Sequence, residues 1–149
     1  MLTAKQIADE IVSCFENGHK LFAIGNGGSA TMSSHLVGEL QGKFEIKRKP
    51  LPAQTLFDLA SMTAIANDYG YKYIFSRPLE ALSGPGDILA VLSTSGKSKN
   101  CLEATKWAKK HGLVMIDWPR KGKGSAQIQE FQLKLIHDVC RKVEKEMFL

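Results

Sequence analysis

The sequence predicts an α/β domain, a doubly wound parallel sheet flanked by helices in a flavodoxin-like three-layer sandwich. Three observations lead there. Short apolar runs bounded by turn residues alternate along the chain with stretches of helical period. This alternation repeats through four strands, which implies parallel pairing through helical crossovers. Two loops rich in Gly and Ser follow strands directly, where sheets of this kind bind ligands.

Residues 3–17 place Ile7, Ile11, Val12 and Phe15 on one helical face, and Asn17-Gly18 ends the helix. "KLFAIG" reads as a buried strand, followed by a helix over 29–41. "PAQTLF" is a second strand and "LASMTAIAN" a short helix ending near Asn67. "YIFSRPLEAL" suggests another helix, provided Pro78 falls in its first turn. The turn "SGPGD" leads into the strand "DILAVLS". "SKNCLEATKWAKKHG" is a helix stopped by Gly112. "LVMI" is the fourth strand, "DWPRKGKGS" a loop, and 126–148 a long final helix.

At 149 residues the chain is expected to form one domain over 1–149, large enough for a real core. No apolar run approaches the roughly 18–20 residues needed to span a bilayer, so no membrane association is expected. "MLTAKQIADEIVSCF" lacks the apolar core of a signal peptide. Three cysteines (Cys14, Cys101, Cys140) form no CxxC pair, which fits a reduced, cytoplasmic protein. The net charge of +5 is spread over "KRK", "KWAKK" and "RKGK" without interleaved aromatics. Such a distribution reads as a solvated face that favours anionic substrates, not as a nucleic-acid site.

The first loop, "GNGGS", spans Gly25 to Ser29, and the second, "STSGKS", spans Ser93 to Ser98. The second offers four hydroxyls (Ser93, Thr94, Ser95, Ser98), a glycine and the N–H groups of a helix start, which suits a phosphate monoester. Neither GxxxxGK[ST] nor GxGxxG occurs, and taken singly each loop also reads as a turn and cap. His35 and Glu39, at i and i+4, share a helix face and are able to meet one metal ion or one substrate. Gln129 and His137 are eight residues apart, roughly 12 Å of helix, so both reach one ion only awkwardly. Either the helix begins near Gln129 or the site draws on two copies of the chain.

"GNGGSA", "HLVGELQGKF", "AIANDYGYKYIFSRPLEAL", "GDILAVLSTSGKS" and "IQEFQLKLIHDVCRKVEKEM" together resemble the sugar isomerase (SIS) domain family, and within it the phosphoheptose isomerase branch. The resemblance runs from about Lys20 to Leu113 and resumes at Ile128. It implies sugar and phosphate binding by Asn26, Gly27, Gly28, Ser29, Ser93, Thr94, Ser95 and Ser98, with Asn67, Asp68 and Gln129 also at the substrate. It implies Zn2+ held by His35, Glu39, Gln129 and His137, a mixed N/O donor set. Glu39 and His137 match the family's acid–base pair, and family members assemble with active sites at subunit interfaces. A homo-oligomer is therefore expected, a tetramer or else a dimer.

Three departures from the family stand out. Its further N-terminal helix is not in this chain, which starts at the second helix of the pattern. Its strand between "LVMI" and "IQEF" is replaced by "DWPRKGKGSAQ", so the sheet is expected to be one strand short. Its arginine before "IQE" and its histidine three residues after the glutamine are Gln127 and Gln132. Two other readings remain: a non-catalytic SIS module that binds a partner protein such as a replication initiator, and an isomerase of another phosphosugar.

Overall fold

A computed structural model describes all 149 residues. Four parallel strands, β1 (Leu21–Ile24), β2 (Ala53–Thr55), β3 (Ile88–Val91) and β4 (Val114–Asp117), form one sheet in the order β2-β1-β3-β4. This is the flavodoxin-like order with its last strand absent, and the strand order reverses between β1 and β3. Six α-helices accompany the strands: α1 (Ala4–Glu16), α2 (Gly28–Gln41), α3 (Leu59–Asp68), α4 (Ser76–Leu82), α5 (Lys99–Lys110) and α6 (Gly124–Phe148). A 3-10 turn, Tyr71–Tyr73, precedes α4, and Pro78 is the third residue of α4, inside its first turn.

β1 and β3 are buried at every position because helices cover both faces of the sheet. On one face Leu21, Ala23, Ile88 and Ala90 pack with α1, α2 and α6 in a core of 23 residues. On the other, Phe22, Ile24, Leu89 and Val91 pack with α4 and α5 in a core of 12. Trp118, just past β4, is fully buried, so the segment read as a loop is anchored at its start. All three cysteines are free and buried, and burial pushes the Cys101 thiol up to about 11 and that of Cys140 to about 12. Such thiols stay protonated and unreactive at neutral pH. No helix is long and apolar enough to cross a membrane.

Candidate functional site

The two Gly- and Ser-rich loops leave the carboxyl ends of the two central strands, side by side at the switch point. In the first, Gly25 is required by close approach. A Cβ there would lie 2.6 Å from the Leu92 carbonyl oxygen and 2.7 Å from that of Ser29. A cleft of about 400 Å³ opens beside this loop, lined by Gly25, Asn26, Thr31, Phe57, Tyr71 and Phe75. Asn26 and Asn100 exchange reciprocal amide hydrogen bonds of 2.9 and 2.8 Å, which tie the first loop to the helix that follows the second. The Tyr71 hydroxyl donates to the same Asn26 oxygen at 3.1 Å.

In the second loop, the Gly96 N–H donates to Ser93 Oγ and the Lys97 N–H to Ser95 Oγ, each at 3.0 Å. Those hydroxyls act as acceptors toward the loop, so their own protons remain free to donate to a ligand. Ser98 stands at the N-cap of α5 but makes no side-chain cap bond, which leaves its hydroxyl uncommitted. Thr94 Oγ1 meets Ser125 Oγ at 3.2 Å, so the first turn of α6 also reaches this loop. The two glutamines that depart from the family pattern have structural roles here. Gln127 accepts from the Lys123 N–H at 2.8 Å, closing the start of α6. Gln132, fully buried, donates at 3.4 and 3.3 Å to the carbonyls of Ser93 and Pro119 and so joins the loop to the short connection.

His35 and Glu39 project from α2 toward His137 on α6, and one ligand atom from each lies within 4.8 Å of the others. His35 Nε2 faces His137 Nε2 at 3.1 Å and Glu39 Oε1 at 3.1 Å. Phe44 stacks on the His137 ring at a centroid distance of 5.3 Å and fixes its plane. Tetrahedral zinc, at roughly 2.0–2.1 Å from nitrogen or oxygen ligands, holds neighbouring ligand atoms about 3.3 Å apart. The two spacings at His35 are close to this value and the third pair lies within 4.8 Å, so the donor set of two imidazoles and a carboxylate suits such an ion.

One chain therefore brings three of the four anticipated ligands together, and no second copy is needed to unite Glu39 with His137. Gln129, on α6, lies against the start of α2. Its amide packs on Gly28, where a Cβ would lie 2.4 Å from its nitrogen, at the first turn of α2. Nor does α6 begin at Gln129, since the helix already starts at Gly124. Asn67 and Asp68 are exposed at the end of α3, bonded to each other at 2.9 Å. Sequence reasoning missed Asn100 and Tyr71. An Asn one turn into a helix after a serine loop is a weak signal, and the tyrosine gives none.

An α/β domain with two such loops at its switch point is one class of protein among several that share the architecture. This chain belongs to the SIS domain family, whose model matches residues 3–117. The phosphoheptose isomerase of Campylobacter concisus is 40% identical over an alignment covering 97% of this chain and 83% of that protein. The probable phosphoheptose isomerase of Thermoplasma acidophilum is 41% identical, covering 94% and 86%. The structure of a phosphoheptose isomerase from Francisella tularensis superposes with a TM-score of 0.91 at 33% identity, covering 95% of this chain and 85% of that one. The Neisseria gonorrhoeae enzyme gives a TM-score of 0.89 at 32% identity, with the same coverage. The first alignment runs over 161 positions against 149 residues, so that relative carries residues with no counterpart here.

Proposed function

We propose that the chain is a phosphoheptose isomerase that interconverts sedoheptulose 7-phosphate and D-glycero-D-manno-heptose 7-phosphate in the cytoplasm. The observation that carries this reading is the convergence of His35, Glu39 and His137, because a binding module has no use for two imidazoles and a carboxylate aimed at one point. The names of the relatives, at about this level of identity over nearly the whole chain, agree with it.

The reaction moves a carbonyl between C1 and C2. A proton leaves the carbon beside the carbonyl and returns to its neighbour, while a second proton passes between the two oxygens. Glu39 takes the carbon-bound proton on its carboxylate and the His137 imidazole serves the oxygens, both groups being able to carry a proton at neutral pH. His35, Glu39 and His137 would hold zinc, with Gln129 a further candidate, and the bound ion would supply positive charge beside the sugar oxygens. The hydroxyls of Ser93, Thr94, Ser95 and Ser98 hold the phosphate, and "NGGS" with Asn67 and Asp68 reads the sugar.

Assembly belongs to the same proposal. Ser125 touches the phosphate loop, and His137 lies twelve residues further along α6, roughly 18 Å of helix. A sugar phosphate within one chain would have to stretch over much of that length. A homo-oligomer, tetramer or dimer, in which one copy's cluster faces another's phosphate loop, removes the strain. Incubation of zinc-loaded protein with sedoheptulose 7-phosphate is expected to yield the aldose, read by chromatography. An absence of turnover with fully loaded, folded protein would overturn the proposal.

A further inference from the structure

The short connection between β4 and α6 places an arginine on the phosphate loop, at a position that no motif marks. A Cβ on Gly96 would lie 3.2 Å from Arg120 Cζ and 3.2 Å from its Nη2, so the guanidinium lies directly against the backbone of the loop. Gly96 has φ +68°, a conformation that favours glycine, and it carries no side chain to push the arginine away. Asp117, at the end of β4, grips the fork from one side with bonds of 2.8 Å from Nη1 and 2.7 Å from Nη2. A guanidinium has five N–H donors, and this grip uses two of them. The remaining three are uncommitted, and the side chain is already ordered. As a contributor to stability the pair counts for little, since its side chains are 30% and 63% exposed.

The loop's remaining chemistry needs such a partner. Its hydroxyls donate hydrogen bonds but bring no charge, and a phosphate monoester carries close to two negative charges at neutral pH. Lys97 and Lys99, the cations of the loop itself and of the start of α5, are exposed. Arg120 is held in place by packing and a bidentate partner, which makes it the pre-organised cation there.

We infer that Arg120 is a substrate-binding residue that reads the phosphate group of the sugar phosphate beside the loop's hydroxyls. The inference rests on the proposed phosphosugar reading and assigns it a residue from the segment that replaces the family's extra strand. The short connection thereby supplies a charge, as well as a shorter path from β4 to α6.

The test measures inorganic phosphate binding by calorimetry and steady-state kinetics on sedoheptulose 7-phosphate, in wild type and in Arg120→Ala, Arg120→Lys, Lys121→Ala and Ser95→Ala. Arg120→Ala is expected to weaken phosphate binding and raise KM by roughly tenfold or more, with a smaller change in kcat. Arg120→Lys should recover part of the loss, because it keeps the charge without the fork. Lys121→Ala removes the same charge from an exposed neighbour and should change either quantity by only about twofold. Thermal unfolding checks that each variant is folded, and Arg120→Lys carries the test if Arg120→Ala is not. If Arg120→Ala binds phosphate like wild type while Ser95→Ala does not, the assignment of Arg120 is wrong and the phosphate loop stands. Equal losses in Arg120→Ala and Lys121→Ala would replace a specific contact with a general field and overturn the inference. If wild type itself binds neither phosphate nor the sugar phosphate, the phosphosugar reading falls, and this inference with it.

Discussion

Two clusters of ionisable side chains lie along the seam between α2 and α6, and they differ in how their hydrogen bonds are spent. At the far end, Glu144 is 1% exposed and its carboxylate is fully occupied. It accepts from the backbone N–H groups of Phe44, Glu45 and Ile46 at 2.8, 2.8 and 3.0 Å, and from Arg48 Nε at 3.0 Å. Arg48 in turn donates to the carbonyls of Glu39 and Leu40 at 2.7 Å each, which closes the C-terminal end of α2. Seven residues earlier on α6, roughly 10 Å along the helix, His137 meets His35 and Glu39. There His35 Nε2 is faced by both Glu39 Oε1 and His137 Nε2. One ring nitrogen carries at most one proton, so it is unable to donate to both. The first cluster is complete within the chain and fastens it. The second keeps spare acceptor capacity, and that capacity is what a cation and a substrate would use.

Substitutions at the two glutamates should separate these roles. Glu39→Gln keeps the shape and removes the base, and activity is expected to fall about 10²–10⁴-fold with the urea unfolding midpoint little changed. His35→Ala, at the same cluster, should lose most of its bound zinc, since a site of this kind depends on each ligand. Zinc content by atomic absorption is the check, and equal content in wild type and His35→Ala would remove the metal from the comparison.

Glu144→Ala should do the reverse. It leaves the Arg48 charge and three N–H groups without their partner in a buried place, which costs about 3–5 kcal/mol in urea unfolding. The same carboxylate gives stability a pH dependence. Burial alone would raise its pKa, but the N–H groups of Phe44, Glu45 and Ile46 and the Arg48 charge together hold it below the usual carboxylate value. A depressed folded-state pKa adds stability that is present above the unfolded value of 4.5 and is lost as pH falls through the folded one. The acid side of the stability profile should therefore be shallower in Glu144→Gln than in wild type, below about pH 4.5. Superimposable acid limbs would mean that Glu144 is not the group that titrates.

How much of this was legible beforehand depended on whether the signal was local. β1 and β3 were plain because four apolar residues in a row between turn residues need cover on both faces. The six residues of "PAQTLF" shrink to Ala53–Thr55 because Pro52 has no N–H to donate and Leu56 already turns into the second core. His35 and Glu39 were legible from the helical period, and His137 stood out with Gln129 on the last helix, but its place beside His35 and Glu39 came through the family likeness. The pairing of Arg48 with Glu144 and the contact of Arg120 with Gly96 join segments far apart in sequence, and no periodicity announces them. Trp118 was hidden for another reason: it lies among Pro, Lys and Gly, a composition that reads as solvent-exposed, yet it fills the core beside β4.

The smallest expected effect extends the comparison from carboxylates to hydroxyls at helix starts. Thr3 and Ser98 both occupy N-cap positions, of α1 and α5. Thr3 Oγ1 accepts from the Gln6 N–H at 3.2 Å, and the Gln6 side chain returns the bond to the Thr3 N–H at 2.9 Å, a complete capping box. Ser98 makes no such bond. Thr3→Ala should therefore cost about 1 kcal/mol in urea unfolding. Ser98→Ala should leave the unfolding free energy within about 0.5 kcal/mol of wild type, the range of an uncommitted surface change. Its cost should appear in the affinity for phosphate, because a hydroxyl that does not cap its own helix is free to bond the ligand. Ser98→Ala destabilised as much as Thr3→Ala, with phosphate affinity intact, would make it an ordinary cap and return the loop to a purely structural reading at that position.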